Sequence, residues 1–136
     1  MKKIIIIIAI ISITTACEIF VIGTKKEPVI EINQSSSIGA VLLFKTKLDS
    51  NKIPDASTLV LKSDGARYLA IEKVDLFDDL KRLSRQISNR NITRFSIDTI
   101  SNELCIVDME FDYIRNYKFN TLKIVEDWYI TGYKKR

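Results

Sequence analysis

The stretch Ile92–Tyr133, read as ITRFSIDTI, SN, ELCIVDMEFDYI, RN, YKFNTLKIV, ED and WYITGY, decides the fold. β-Branched and aromatic residues crowd it, and apolar and polar residues alternate with the two-residue period of a strand. Polar pairs interrupt it at Ser101-Asn102, Arg115-Asn116 and Glu126-Asp127. The spacing predicts four strands, 92–100, 103–114, 117–125 and 128–133, joined by two-residue turns and therefore antiparallel to their neighbours. In the second strand Cys105, Val107, Met109 and Phe111 share one face, and Asp108 and Glu110 take the other, with Leu104 and Ile106 at its start. In the third, Tyr117 and Phe119 hold one phase and Leu122 and Ile124 the opposite one, which predicts a β-bulge near Asn120-Thr121.

Upstream of Ile92 the period becomes helical. Leu76, Leu80, Leu83 and Ile87 fall on one face of a helix predicted over Asp75–Ser88, with Phe77 beside them. Asp75 is its expected cap. Asp78 and Asp79 lie near its positive end and Arg82, Arg85 and Arg90 toward its negative end, before Asn89-Arg90-Asn91 stops it. Tyr68–Ile71 reads as a short strand or loop, and Ser63-Asp64-Gly65 as a turn. Pro54 opens a short helix over Asp55–Leu61. Ser35-Ser36-Ser37 offers a cap for a first helix with Ile38, Val41, Leu42 and Leu48 in its stripe and Phe44 at the edge; Asp49-Ser50-Asn51 ends it. The expected class is α+β: N-terminal helices on a curved four-stranded antiparallel sheet over residues 35–136. Residues 17–34, with Pro28, read as tether or linker.

The chain opens MKKIIIIIAIISITTACEIFVIG. Met1-Lys2-Lys3 is a positive n-region, Ile4–Ile13 an apolar h-region, and Thr14-Thr15-Ala16 supplies small residues before a cut, which parses as a secretory signal over 1–16. Thr14-Thr15-Ala16-Cys17 resembles the lipobox of bacterial lipoproteins, with Thr14 standing where that pattern has Leu, Val or Ile. The resemblance implies a diacylglycerol on Cys17, cleavage before it and often acylation of the new amine. Two or more acyl chains anchor a protein stably. Two other readings stand beside it. The apolar run extends through Ile22, long enough for an uncleaved span with Lys2 and Lys3 cytoplasmic. Ordinary signal cleavage would release the domain instead. Glu18 favours the lipoprotein over the span, because a carboxylate deep in a lone span is costly and just after a lipidated Cys is harmless. All three place the domain outside the cytoplasm. Ile19-Phe20-Val21-Ile22 is unusually apolar for a lipoprotein tether; it reads as lying along the membrane or pairing as an extended edge.

The order of elements resembles the nuclear-transport-factor-two-like fold, the cone-shaped α+β domain shared with ketosteroid isomerases and polyketide cyclases. It is similar in particular to small bacterial lipoproteins of that superfamily with no assigned function. A signal and a Cys precede a helix, a short helix of the Asp55-Ala56-Ser57-Thr58-Leu59 type, a long helix and strands ending in Trp128-Tyr129-Ile130. The resemblance spans about residues 35–133. It implies a bacterial envelope location and a cone opening between helices and sheet.

Composition narrows the chemistry. The 136 residues fit one domain, with 46% apolar and 28% charged residues. The net charge of +4 falls to +2 once Lys2 and Lys3 are set aside, too mild for a nucleic-acid surface. No His is present, which excludes Ser-His and Cys-His dyads and His-rich metal sites. Cys17 and Cys105 have no metal-ligand spacing and form no disulfide framework. Ketosteroid-isomerase-type enzymes use an Asp base with acidic and Tyr oxyanion donors. The sheet groups open to such work are Asp98, Asp108, Asp112 and Tyr113, and none carries a motif. Cys105 alternates with Val107 and Met109 and reads as a small buried apolar residue. Leu80, Cys105, Val107, Met109 and Phe111 are the candidate lining of an apolar pocket. Lys81, Arg82 and Arg85 read as a solvated face, and the Lys134-Lys135-Arg136 tail as a solvated end or an anionic-lipid contact.

The expectation is a lipid-anchored, extracytoplasmic interaction module without catalysis, cofactor, metal or nucleic acid, bound to membrane lipid through Cys17. An envelope protein or a second copy is the expected partner, and Tyr113, Tyr117, Tyr129 and Tyr133 are candidates for an outer binding face. The alternatives are a small-molecule-binding or isomerase-type cone domain, and a secretion-complex subunit that retains its N-terminal helix.

Overall fold

The computed structural model describes residues 29–136, so the signal segment, Cys17 and most of the tether lie outside the described residues. Helices α1 (Ser37–Asp49), α2 (Ile53–Thr58) and α3 (Glu72–Ile87) precede strands β1 (Ile92–Thr99), β2 (Leu104–Phe111), β3 (Arg115–Ile124) and β4 (Asp127–Lys135). The strands pair in sequence order, all antiparallel, as an open sheet. The helices pack on one face, giving the α+β class.

The core forms where the inward residues of the sheet meet the helices. Val107, Met109 and Phe111 of β2, Tyr117 and Phe119 of β3 and Ile130 of β4 pack with Val41, Phe44 and Leu48 of α1 and Leu76, Leu80, Leu83 and Ile87 of α3. Phe44, expected at the edge of its stripe, is fully buried and meets Phe119 edge-on at 6.3 Å between ring centroids. Leu42, expected within the stripe, is only half-buried. Lys45 is also buried; its Nζ lies 2.6 Å from Asp49 Oδ2 and 5.9 Å from the centre of the Phe111 ring.

Ser36 caps α1 by accepting the Gly39 N–H at 3.1 Å. Gly39 is required here by contact: a Cβ would lie 2.5 Å from the Glu31 carbonyl oxygen and 2.6 Å from that of Asn33. At the other end the Leu48 carbonyl accepts the Ser88 hydroxyl at 3.0 Å, and Asp49 Oδ1 accepts the Asn89 N–H at 2.8 Å. These bonds join the C-terminal ends of α1 and α3.

Several boundaries differ from the sequence expectation. Helix α2 stops at Thr58 rather than Leu61, because Leu59-Val60-Leu61 runs along the outer edge of β4. Ile130 donates its N–H to the Leu59 carbonyl at 2.9 Å and accepts from Leu61 at 2.8 Å. Gln34 closes the same edge at Trp128, accepting its N–H at 2.8 Å and donating to its carbonyl at 3.0 Å. Tyr68–Leu69 is loop. Helix α3 starts at Glu72, not Asp75; Glu72 Oε2 reaches back to accept the Leu69 N–H at 2.7 Å, so Asp75 sits inside the first turn without capping it.

The strand connections shift too. β2 ends at Phe111, and the turn is Asp112-Tyr113-Ile114 rather than Arg115-Asn116, with positive φ at Asp112 (50°) and Tyr113 (63°). Val125-Glu126 joins β3 to β4, with Val125 at φ 59°. The expected bulge falls at the right register, between Asn120 and Thr121, but the extra residue is Thr131 on β4. β3 itself pairs regularly with β2 throughout. Its apolar pattern changes phase because Leu122 and Ile124 lie on the outer face, where the Gly65 turn covers them. The bulge in turn keeps Tyr133 opposite Phe119, on the core side.

Candidate functional site

The candidate pocket residues are buried, and Met109 also borders a cavity of about 150 Å³ with Arg94, Asp108 and Glu110. Leu80, Val107, Met109 and Phe111 are interior to the core, and Cys105 is buried in a small cluster with Ala40 and Trp128. The Cys105 thiol faces only the Thr99 hydroxyl, at 3.9 Å.

The nominated polar groups do not converge either. Asp98 and Tyr113 are exposed. Asp112 accepts from Arg90 at 2.9 Å and from the Asn91 N–H at 3.0 Å, so it braces a turn. Arg90 and that backbone bond hold its carboxyl below the usual carboxylate range. Asp108 lies on the outer face, 3.7 Å from Lys118 and 4.0 Å from Arg136. Among the described residues the buried polar side chains are Ser37, Lys45, Ser57 and Thr121, so no carboxylate sits in the desolvated setting that acid–base catalysis by a carboxyl group exploits. No cluster of three or more Cys, Asp or Glu side chains among them is placed to hold a metal ion. Of the four tyrosines expected outside, Tyr117 is in the core and Tyr133 packs against it. Tyr129 lies half-buried beneath Arg67, and Tyr113 is exposed at its turn.

Two features remain open. Between α3 and β4 a cavity of about 440 Å³ is bordered by Tyr68, Leu76, Asp79, Arg82 and Tyr133. Burial, and then the nearby Asp79 carboxylate, push the Tyr133 hydroxyl up to about 12. It is therefore a neutral donor at any physiological pH.

The second feature is β1. Six successive residues, Arg94–Thr99, are exposed. Phe95 and Ile97 pair with Met109 and Val107 and so point to the core side of the sheet, yet they are 45% and 43% exposed. The cause is the placement of α1, which packs on β2, β3 and β4 and meets β1 only across a groove. Phe95 and Ile97 instead form one wall of a groove of about 450 Å³, with Val29, Ile30 and Ile38 opposite. The groove continues past Leu42 and Ile92. β1 is also the terminal strand of the sheet. The Ile100 N–H donates to the Leu104 carbonyl at 2.9 Å, which fixes the phase: even-numbered residues bond β2, and Phe95, Ile97 and Thr99 direct their N–H and C=O groups outward. Neither Lys nor Pro occurs in β1; a bulge at Thr93 marks its start, and beyond it Arg94–Thr99 pairs regularly with β2. Alternation in the sequence marks Phe95 and Ile97 as core-facing; it carries no signal of whether a helix covers them.

The chain matches no protein-family model, no curated protein and no solved structure.

Proposed function

We propose that the chain is a membrane-tethered, extracytoplasmic interaction module of the bacterial envelope, anchored by acyl chains on Cys17. On this reading it presents a cone-shaped domain of the nuclear-transport-factor-two-like kind. The observation that carries the interaction part is the open β1 edge: unpaired backbone groups run beside Phe95 and Ile97, apolar side chains with no layer over them. A strand added at such an edge gains main-chain hydrogen bonds and covers apolar surface at once. The cone assignment is supported by helices confined to one face and by the bulge at Thr131, a device that lets a sheet curl. The anchor is supported by the lipobox-like Thr14-Thr15-Ala16-Cys17.

Two measurements test it. Intact mass of membrane-extracted protein should match residues 17–136 plus acyl chains, and Cys17→Ser should abolish that species; a full-length mass unaffected by the substitution would overturn the anchor. A photo-cross-linking amino acid in place of Phe95 should yield adducts in the envelope, and the same group in place of the exposed Lys73 should not. Equal labelling from both positions, or none from Phe95, would overturn the interaction surface.

A further inference from the structure

We infer that the occupant of this edge is a second copy of the chain, β1 pairing antiparallel with its counterpart across a two-fold axis through Ser96. The inference rests on the proposed reading of β1 as an interaction surface and adds the partner and the register.

The first support is the strand's own sequence. Within the regular stretch of β1 beyond the bulge at Thr93, residues 94–98, RFSID, are self-complementary about Ser96: Arg94 mirrors Asp98 and Phe95 mirrors Ile97. An isologous contact sets each residue against its mirror position on the other copy, so this complementarity acts twice across the axis.

The second support is the hydrogen-bond phase. With the axis at Ser96, Phe95 stands opposite the other copy's Ile97. Both residues direct their backbone groups outward, so the pair exchanges two hydrogen bonds, and symmetry repeats the exchange. Ser96 itself, whose backbone bonds β2, falls at a non-hydrogen-bonded position, as an axis there requires.

The third support is charge. An axis at Phe95 or Ile97 also satisfies the backbone, but it sets Arg94 or Asp98 against serine. An axis at Arg94 or Asp98 sets like charges against each other. Only the axis at Ser96 brings Arg94 opposite Asp98, twice, on the outer face. Both side chains are exposed, and among the described residues neither joins an ion pair within the chain. On the inner face the same register seats each Phe95 on the partner's Ile97. That covers the apolar wall that α1 leaves bare.

Disulfide trapping in the full-length chain in its membrane tests the register. Cα atoms of a non-hydrogen-bonded antiparallel pair lie about 4.5 Å apart, inside disulfide range, so Ser96→Cys should cross-link to a covalent dimer under mild oxidation. Asp98→Cys partners would sit roughly 13 Å apart and should cross-link at least about tenfold less. Adding Asp98→Arg to Ser96→Cys should abolish the dimer, and adding Arg94→Asp as well should restore it. Equal cross-linking of Ser96→Cys and Asp98→Cys would overturn the register. Monomeric Ser96→Cys with Phe95 adducts to a different protein would overturn self-pairing and leave the interaction reading standing. Phe95 adducts confined to the groove residues Val29, Ile30 and Ile38 of the same chain, with none to another chain, would overturn both.

Discussion

Val125 is 88% exposed with φ at 59°, a conformation in which a β-branched side chain crowds its own backbone. Val125→Asn should therefore raise stability by ~1 kcal/mol, read as a higher urea midpoint at unchanged slope. Lys45 and Asp49 give an asymmetric expectation. Asp49 neutralises a buried ammonium at 2.6 Å and accepts the exposed Asn89 N–H, so Asp49→Ala should cost ~1–2 kcal/mol, chiefly by leaving the ammonium without its partner. Lys45→Met removes the charge along with the need for its partner and keeps the stem packed on Phe111, so it should cost less than ~1 kcal/mol. Equal losses in chemical denaturation would show that the pair acts through packing alone. The sequence offers Lys45 as one more polar helix residue. Its burial follows from the packing of α1 against Phe111 of the sheet, which a one-dimensional pattern does not contain.

Gly39 belongs to the scale of elements. Ala in a helix interior ordinarily gains ~1 kcal/mol over Gly. Here the added methyl would press on two backbone carbonyls of the 31–33 turn, so Gly39→Ala should lower the melting temperature and detach that turn from α1, read by faster exchange of the Trp128 amide, which donates to the Gln34 carbonyl. The four strands and the helical face of α3 are legible in the sequence because alternation and the 3.6-residue stripe are local signals. The turns are less so. Asp112, Tyr113 and Val125 adopt positive φ without a glycine to announce it. The end of α2 is decided far away in sequence, by β4's demand for partners at Ile130. The bare edge of β1 is hidden for a related reason: the period of two says which face Phe95 occupies, and only the placement of α1 says that this face is bare.

For the whole molecule, ionisation should limit stability at both ends of the pH scale. Glu72, hydrogen-bonded by Lys62 and the Leu69 N–H, and Asp112, hydrogen-bonded by Arg90, lie below their ordinary values of 4.5 and 3.8. Their stabilisation is complete above those values and is lost as pH falls through the lowered ones, so Glu72→Gln and Asp112→Asn should flatten the acid limb. Tyr133 behaves in the opposite sense: raised from 10.0 to about 12, its contribution is complete below pH 10 and is lost as pH rises toward 12. Lys62, raised by its hydrogen bond to Glu72, adds to that alkaline limb. Tyr133→Phe should flatten it between pH 10 and 12, as followed by denaturation midpoints at stepped pH. Gln34 and Leu59-Val60-Leu61 occupy the first half of the β4 edge, at Trp128 and Ile130, and that has a consequence for growth. A strand arriving at β4 finds its entry half already taken, whereas one arriving at β1 does not, so the two edges of the sheet are unequal templates.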